Sequence, residues 1–312
     1  MAQAIVYSSF GGPEVLTLTD VRHPVAGAGE VVVRMEAVGV NPIDHKLRSG
    51  RRPSPPIEEP RRIGADGAGV IAAVGPDVDG FREGDPVVVF GATGAYATDI
   101  AVPVRSVQPR PASVTAAEGA ALGIPVATSY QALRSLGVRD GDTLLVHAGS
   151  GAVGQAAIQL ATLWGARVIA TSSPERFDRV HDLGAEPVAY GDGLADRVRA
   201  AAPHGISVAL DAAGTDEAIE TSLALAPAAR IATLVRGRDA AGYGIRAFSG
   251  GAPTPLTAQQ LTWRAEAIPV ALSLLAAGAF SVELGPSFPL GDAAAAHRAV
   301  EQGAAGKVIL LP

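Results

Sequence analysis

The sequence predicts an α/β protein with a small β domain and a doubly wound, parallel-sheet domain. Three observations predict it. The first hundred residues hold short apolar runs punctuated by Gly and Pro, as in a barrel or sandwich. From about Thr115 the texture changes to apolar strands alternating with helical segments, the pattern of βαβ units. At one strand–helix junction of that second region stands Gly149-Ser150-Gly151-Ala152-Val153-Gly154, a G-x-G-x-x-G run.

The elements follow in order. Residues 30–38, 69–75 and 85–90 read as strands, the last after the turn Glu83-Gly84-Asp85. Between them, residues 51–62 form a Pro-rich charged segment. It reads as a solvated surface loop, or as a flap whose arginines meet an anionic substrate. Residues 116–136 are Ala-rich and helical. Then come strand 143–147, helix 151–164, strand 167–171, helix 175–183, strand 207–211, helix 217–225 and strand 230–235. Residues 236–260 are irregular, 265–277 read as a helix, and 306–311 as a last strand.

At 312 residues the chain is long enough for about two domains, and its 48% hydrophobic and 18% charged residues exclude wholesale disorder. The net charge of −6 and only 14 aromatics argue against nucleic-acid binding. The absence of cysteine removes disulfides, thiol nucleophiles, Cys-ligated zinc and iron–sulfur clusters together. Residues 143–166 carry no Asp, Glu, Lys or Arg, yet the glycines, glutamines and histidine in this stretch argue against a membrane span. The N-terminus lacks the pattern of a signal peptide, so a soluble cytoplasmic protein is expected, with no membrane partner.

The glycine run has the context that makes it informative, a strand before it and a helix after it. Glycines there allow a tight turn and close approach of a pyrophosphate to the helix N-terminus. An NAD site places a carboxylate about 20 residues on, at the tip of the second strand. Here the tip reads Thr171-Ser172-Ser173-Pro174-Glu175-Arg176, three hydroxyls and then a cation. That set suits a dianionic 2′-phosphate, so NADP(H) is the expected cofactor. Glu175 counts against this if it points into the site.

Several blocks together resemble the medium-chain dehydrogenase/reductase superfamily, in its zinc-free quinone oxidoreductase (zeta-crystallin-like) branch. They are residues 37–44 with Arg48-Ser49-Gly50, residues 64–70, residues 81–87, Gly94-Ala95-Tyr96-Ala97, residues 148–154 and Gly306-Lys307-Val308-Ile309-Leu310. The resemblance implies a GroES-like β-barrel domain over 1–120, completed by 263–312, and a Rossmann NADP-binding domain over 121–262. Where zinc-dependent relatives carry metal ligands, this chain has Asn41, Ala65 and about Ile124, so no metal site is expected.

The resemblance also implies site residues. Ser150, Gly151, Ala152, Val153 and Gly154 would hold the pyrophosphate, Thr171, Ser172, Ser173 and Arg176 the 2′-phosphate, and Tyr190 the adenosine phosphate. Asn41, Thr128, Phe248 and Lys307 would lie at the nicotinamide end. The implied reaction is hydride transfer from NADPH to a quinone or an α,β-unsaturated carbonyl compound. Donors for the oxygen that gains charge are sought among the Asn41 amide, His45, Lys46 and water. Asn41 and Lys46 are the catalytic candidates, and Lys46 in Asn41-Pro42-Ile43-Asp44-His45-Lys46 resembles the alkenal/enone reductases. The alternatives are a trans-enoyl reductase of a polyketide-type pathway and a non-catalytic NADPH-binding protein. The substrate pocket is expected along residues 41–62, near Tyr96 and along 240–260. A homodimer is expected by analogy, through the strand 230–235 and the segment after it.

Overall fold

In the computed structural model, which describes residues 1–248, 252 and 254–312, the elements run as follows. They are β1 (Ala2–Tyr7), β2 (Thr17–Val21), β3 (Glu30–Gly39), α1 (Pro42–Arg48), β4 (Arg61–Arg62), β5 (Asp66–Val74), β6 (Pro86–Val89), β7 (Asp99–Pro103) and β8 (Val107–Pro109). Next come α2 (Ala116–Leu136), β9 (Thr143–His147), α3 (Ala152–Leu163), β10 (Arg167–Ser172), α4 (Phe177–Asp182), β11 (Ala185–Ala189), α5 (Leu194–Ala201), β12 (Val208–Asp211) and α6 (Asp216–Leu225). The chain ends with β13 (Ile231–Thr233), β14 (Arg246–Ala247), α7 (Ala258–Ala276), β15 (Leu284–Pro289), α8 (Ala293–Glu301) and β16 (Lys307–Leu311). It divides into two units: residues 1–124 with 268–312, and residues 125–267.

The first unit is built on β3. Its ten residues mix alternation with a β-branched run, and its neighbours β5, β7 and β16 all pair antiparallel to it. The main sheet has the order β15-β16-β3-β5-β6-β8, and a second sheet runs β2-β1-β4. Val31, Val33, Ile71, Val87, Val89, Tyr96, Ile100 and Leu310 are buried in one apolar cluster. The C-terminal strand thus belongs to the same sheet as residues almost three hundred positions earlier.

The second unit has one six-stranded sheet in the order β11-β10-β9-β12-β13-β14. All its neighbouring pairs are parallel. Both faces are covered, so the strands read as near-continuous apolar runs, as buried parallel strands must. Leu145, Ile169, Val188, Ala209 and Ile231 form the centre of its core. The chain order reverses between β9 and β12, and ligand crevices open there, beyond the carboxyl ends of the strands.

Several expectations need correction. The segment 175–183 is not one helix: Pro174–Arg176 form a single 3-10 turn before α4. The helix expected from 265 begins at Ala258. The strand expected at 230–235 shortens to β13 and is not a sheet edge, because β14 pairs with it. A docking edge would therefore be the two-residue β14. Of the expected pocket lining 240–260, residues 249–251 and 253 lie outside the described residues. Among the described residues no helix is long and apolar enough to cross a membrane.

One polar clamp ties the second unit together. Asp142 accepts from Arg230 Nη1 at 2.7 Å and Nη2 at 2.9 Å, from Ser207 Oγ at 2.7 Å and from the Arg139 N–H at 3.0 Å. It joins the start of β9 to the segments before β12 and β13. Asp142→Ala is expected to destabilise the protein by about 2–4 kcal/mol, because Arg230 and Ser207 lose their acceptor together. Denaturant unfolding of the two proteins checks this; a change below about 0.5 kcal/mol, the range of ordinary surface substitutions, would refute the clamp.

Candidate functional site

In the second unit the turn after β9 is fixed by the end of β10. Ala148 has φ of 59°, a left-handed conformation that costs an alanine free energy. Its N–H donates to Thr171 Oγ1 at 3.1 Å, and the Gly149 N–H donates to the Thr171 carbonyl at 2.8 Å. Two of the three glycines are required by packing. A Cβ on Gly149 would lie 2.6 Å from Ala170 Cβ, and one on Gly154 2.2 Å from the Ala148 carbonyl oxygen.

Gly151 is different. A Cβ there would meet nothing nearer than the Ala148 oxygen at 3.5 Å, an ordinary contact. The fold does not demand glycine at this position, and its missing side chain leaves open space before the first turn of α3. No side chain caps that helix at Gly151. Uncapped N–H groups, the positive end of a helix dipole and open space together make an anion cradle. Gln155 Nε2 donates to the Ser150 carbonyl at 2.8 Å and Ser129 Oγ to the Val153 carbonyl at 2.7 Å, so both sides of the turn are held.

His147 lies beneath this turn and is buried. Its Nε2 is 3.1 Å from Ser222 Oγ, and its Nδ1 is 3.5 Å from Thr171 Oγ1. Burial pushes its pKa down to about 4 against the opposing charge of Asp211, so it is neutral at physiological pH. Asp211, at the end of β12, accepts from the Ala213 and Gly214 N–H groups at 2.9 and 2.8 Å and from Thr233 Oγ1 at 2.7 Å.

Beside the turn, Thr171 and Ser172 are buried at the tip of β10, and Ser173 and Arg176 are half-buried just beyond it. No carboxylate stands at the tip. Glu175 is exposed. It bonds to its own backbone N–H and to the Ser173 hydroxyl, which hold it below the usual carboxylate range. Tyr190, one residue past β11, is 60% exposed. Thr128, on α2, is buried and accepts from Arg264 Nη1 at 3.4 Å. Phe248 is buried with the Arg246 guanidinium over its ring at 4.9 Å. The expected phosphate and 2′-phosphate residues therefore share one end of the sheet, with Tyr190 following a strand of the same sheet.

In the first unit the structure brings Asn41 and Lys307 together in a buried polar cluster. Asn41 Nδ2 donates to Asp66 Oδ2 at 2.9 Å and more weakly to the Gly39 carbonyl at 3.4 Å, and Lys307 Nζ donates to Asn41 Oδ1. Both amide hydrogens of Asn41 are thus engaged with the protein. The expected donation from this amide to a substrate oxygen has no hydrogen left to make it. Asp66 Oδ2 also accepts the Ile124 N–H at 2.8 Å. Glycines clear the space: a Cβ on Gly123 would lie 2.0 Å from Asp66 Oδ1, and one on Gly39 2.9 Å from Lys307 Cε.

Asp44 caps the other side. Its Oδ2 accepts the Asn41 N–H at 2.8 Å and the Tyr96 hydroxyl at 2.9 Å. Tyr96 oxygen is 3.2 Å from His297 Nε2, so that nitrogen carries the proton. Burial raises the Asp44 pKa to about 7, while the Asn41 N–H and the Tyr96 hydroxyl pull the other way. Burial lowers His297 to about 3. Arg48 is buried and donates to Glu301, which lies 3.7 Å from His45 Nδ1. Lys46 is half-buried on α1.

Asp66, His297 and His147 were not singled out as functional residues from sequence, and Tyr96 was expected only beside a substrate pocket. A buried Asp inside a Gly-rich apolar strand and histidines in apolar runs were the available signals, and neither names a partner. The positions where zinc-dependent relatives place ligands, 41, 65 and 124, do converge around Asp66, but Ala65 and Ile124 offer only alkyl side chains. Zinc does not fit this donor set. Among the described residues no three His, Cys, Asp or Glu side chains are grouped to hold a metal ion.

The chain is similar to known proteins along its whole length. The family model of the alcohol dehydrogenase GroES-like domain matches residues 27–112, and that of the zinc-binding dehydrogenase matches residues 152–236. Pig (Sus scrofa) quinone oxidoreductase is 31% identical over 330 aligned positions, covering 100% of this chain and 98% of the pig protein. Human quinone oxidoreductase is 37% identical over 183 residues, 58% of this chain and 55% of the human protein, so that match spans about half of the relative's length. A mycobacterial protein solved as its complex with NADPH superposes with a TM-score of 0.83 at 32% identity, covering 100% of both chains.

Asp44 supplies a test of the buried cluster. Its folded pKa of about 7 stands above the ordinary value of 3.8, so the folded state holds a proton that the unfolded state has released. This contribution to stability is present below about pH 4 and is lost as pH rises through about 7. Asp44→Asn, whose amide oxygen can still accept both donors, removes the titration. Its stability relative to the parent is expected to rise by up to about 4 kcal/mol from pH 4 to pH 8. Urea unfolding of both proteins across that range checks it, and a pH-independent difference would overturn the assignment.

Proposed function

The chain belongs to the quinone oxidoreductase branch of the medium-chain dehydrogenase/reductase superfamily, and we propose that it is a metal-independent, NADPH-dependent reductase of quinones or α,β-unsaturated carbonyl compounds. The observation that carries the cofactor half of this reading is the open cradle at Gly151 beside a strand tip of hydroxyls and a cation. Glycine there serves no packing need, so it is accounted for by a ligand that approaches the backbone closely. In this reading residues 150–154 hold the pyrophosphate. Thr171, Ser172, Ser173 and Arg176 receive the 2′-phosphate, and Tyr190 lies along the adenosine phosphate. Thr128, Phe248, Asn41 and Lys307 serve the nicotinamide end.

The bound cofactor supplies a hydride to a carbon of the substrate. What the protein contributes is orientation, exclusion of water and control of charge on the substrate oxygen. Asn41 acts as a link that fixes Lys307 and Asp66 relative to each other. Lys46 on α1 is a second cation available to the oxygen, and its place after Asn41-Pro42 favours carbon–carbon double-bond reduction alongside quinone reduction. The absence of three competent ligands at 41, 65 and 124 supports chemistry without a Lewis-acid metal. A homodimer and a cytoplasmic location complete the reading.

The test is cofactor oxidation by the purified protein, with NADPH and NADH each offered a quinone and an enone. NADPH is expected to be used in preference, and Arg176→Ala to raise its KM about tenfold or more, with NADH little changed. Gly151→Val, whose Cβ would meet no atom nearer than the Ala148 oxygen at 3.5 Å, is expected to abolish cofactor binding while leaving the thermal midpoint within a few degrees. Equal use of both cofactors by parent and variant would overturn the 2′-phosphate assignment. Undiminished binding by Gly151→Val would overturn the cradle.

A further inference from the structure

Three buried side chains of the first unit stand in line, and the reductase reading gives none of them a role. Asp44 lies on α1, Tyr96 in the loop before β7, and His297 on α8. Their exposures are 2%, 0% and 0%. The Tyr96 hydroxyl is 2.9 Å from Asp44 Oδ2 and 3.2 Å from His297 Nε2, so one oxygen joins a carboxyl to an imidazole. Gly64 seats the phenol ring, since a Cβ there would lie 2.2 Å from Tyr96 Cδ1. The imidazole meets that ring edge to face, with centroids 5.7 Å apart.

The far nitrogen of the imidazole is the unusual atom. His297 Nδ1 is buried and has no protein partner. Arg48, on the helix packed against α8, is 1% exposed, and its Nε and Nη1 are unpartnered as well, while Nη2 donates to Glu301. Glu301 lies 3.7 Å from His45 Nδ1, and its side chain is 28% exposed. The line from Asp44 therefore ends beside polar groups that reach solvent at Glu301. Leaving a buried nitrogen unpaired costs folding free energy. A leucine would fill the space without that cost, and an asparagine could satisfy the Tyr96 oxygen. Only imidazole offers two ring nitrogens, one able to gain a hydrogen as the other loses one, with no change of charge.

We propose that Asp44, Tyr96 and His297 form a proton relay, through which the buried cluster of Asn41, Asp44 and Lys307 exchanges a proton with water at the α1–α8 face. With Asp44 ionised, Tyr96 donates to Asp44, His297 Nε2–H donates to Tyr96, and Nδ1 is bare. With Asp44 protonated, the order reverses: Asp44 donates to Tyr96, Tyr96 donates to Nε2, and Nδ1 carries the hydrogen. In passing from the second state to the first, the Asp44 hydrogen moves to the Tyr96 oxygen and the Tyr96 hydrogen to Nε2. The Nδ1 hydrogen leaves to water. Tyr96 and His297 each gain and lose one hydrogen, and Asp44 alone acquires a charge. The groups acting on the line are Asp66 on β5 and Lys307 on β16 at its Asp44 end, and Arg48 and His45 on α1 with Glu301 on α8 at the other. Burial, then Arg48 and His45, hold the His297 pKa at about 3, so the imidazole passes the proton without keeping it. Asp44, raised by burial to about 7, is the group that keeps or releases it. The relay stands whatever the substrate is, and it lets the charge beside Lys307 change without opening the cluster.

The tautomer of His297 reads the relay directly. In protein carrying 15N-histidine and 13C-carboxyl aspartate, the His297 ring is identified by its proton contacts with the Tyr96 ring, and the Asp44 carboxyl by its loss in Asp44→Asn. Between about pH 5 and pH 9 the ratio of the Nδ1–H to the Nε2–H form is expected to fall about tenfold or more, with the ring neutral throughout. Its midpoint should coincide with that of the Asp44 carboxyl. In Tyr96→Phe, which keeps the ring and removes the hydroxyl, and in Asp44→Asn, the tautomer ratio should stay constant over the same range. Four results overturn the proposal: a constant tautomer in the parent while Asp44 titrates, an Asp44 carboxyl that does not titrate in this range, a second proton on the His297 ring, or a switch that persists in Tyr96→Phe. If Tyr96→Phe does not fold, a switch that persists in Asp44→Asn overturns it.

Discussion

A carboxylate taken out of water must be answered by donors, and in the first unit Asp66 is answered from several directions at once. Its Oδ2 receives Asn41 Nδ2 at 2.9 Å and the Ile124 N–H at 2.8 Å, and Lys307 supplies the compensating charge. These groups come from β5, the loop before α1, α2 and β16. No two of those segments are neighbours in sequence. The register of β16 against β3 sets Ile309 opposite Gly39, and Lys307 then lies over that glycine. Glycines at 39 and 123 belong to the same constraint, since a methyl group would lie 2.9 Å from Lys307 Cε and 2.2 Å from the Ala120 carbonyl oxygen at the first, and 2.0 Å from Asp66 Oδ1 at the second. The cluster thus explains why the C-terminal strand returns to the N-terminal sheet with a charged residue at its head.

The second unit solves the opposite problem. There polar groups at the start of α3 have no side-chain cap, and on the proposed reading a ligand answers them. Thr171 does the holding: its hydroxyl and carbonyl take the N–H groups of Ala148 and Gly149, at 3.1 and 2.8 Å. The turn is therefore braced from the neighbouring strand and not from the helix it introduces. That leaves the first turn of α3 uncapped. A buried neutral His147 supports Thr171 from below without adding a charge under the cradle. Preorganisation of this kind costs folding free energy at Ala148, which on the proposed reading anion binding would offset.

The two units differ in how much of them could be read from sequence. In the second unit the information is local. Strand 143–147, the glycine run and helix 151–164 lie within a few residues of one another, and the parallel strands are continuous apolar runs, so the doubly wound order was legible. What escaped were short elements: β11, which contains Glu186 and Pro187, the eight-residue α5, and β14, which is two residues long. In the first unit the information is long-range. Lys307 and Asn41 are separated by 266 positions, and no period or spacing connects them. Their types suggested a site, but only the fold shows that the amide of Asn41 is engaged with its neighbours and that the lysine is held by it.

The tip of β10 shows how opposed charges set a selectivity. Arg176 and three hydroxyls favour a dianionic phosphate, while Glu175, three residues past the strand, turns back to the Ser173 hydroxyl. A hydroxyl has one hydrogen to give, so Ser173 cannot donate to Glu175 and to a phosphate together. Binding of a 2′-phosphate would have to displace the Glu175 carboxylate, which is exposed and free to swing into water. A cofactor without that phosphate leaves the contact in place. On the proposed 2′-phosphate assignment, discrimination between the two nicotinamide cofactors would be graded by a competition for one serine, with Arg176 pulling toward the phosphate and Glu175 against it. On that assignment the absence of a carboxylate at Thr171 or Ser172 would set the sign of the preference, and Glu175 would limit its size.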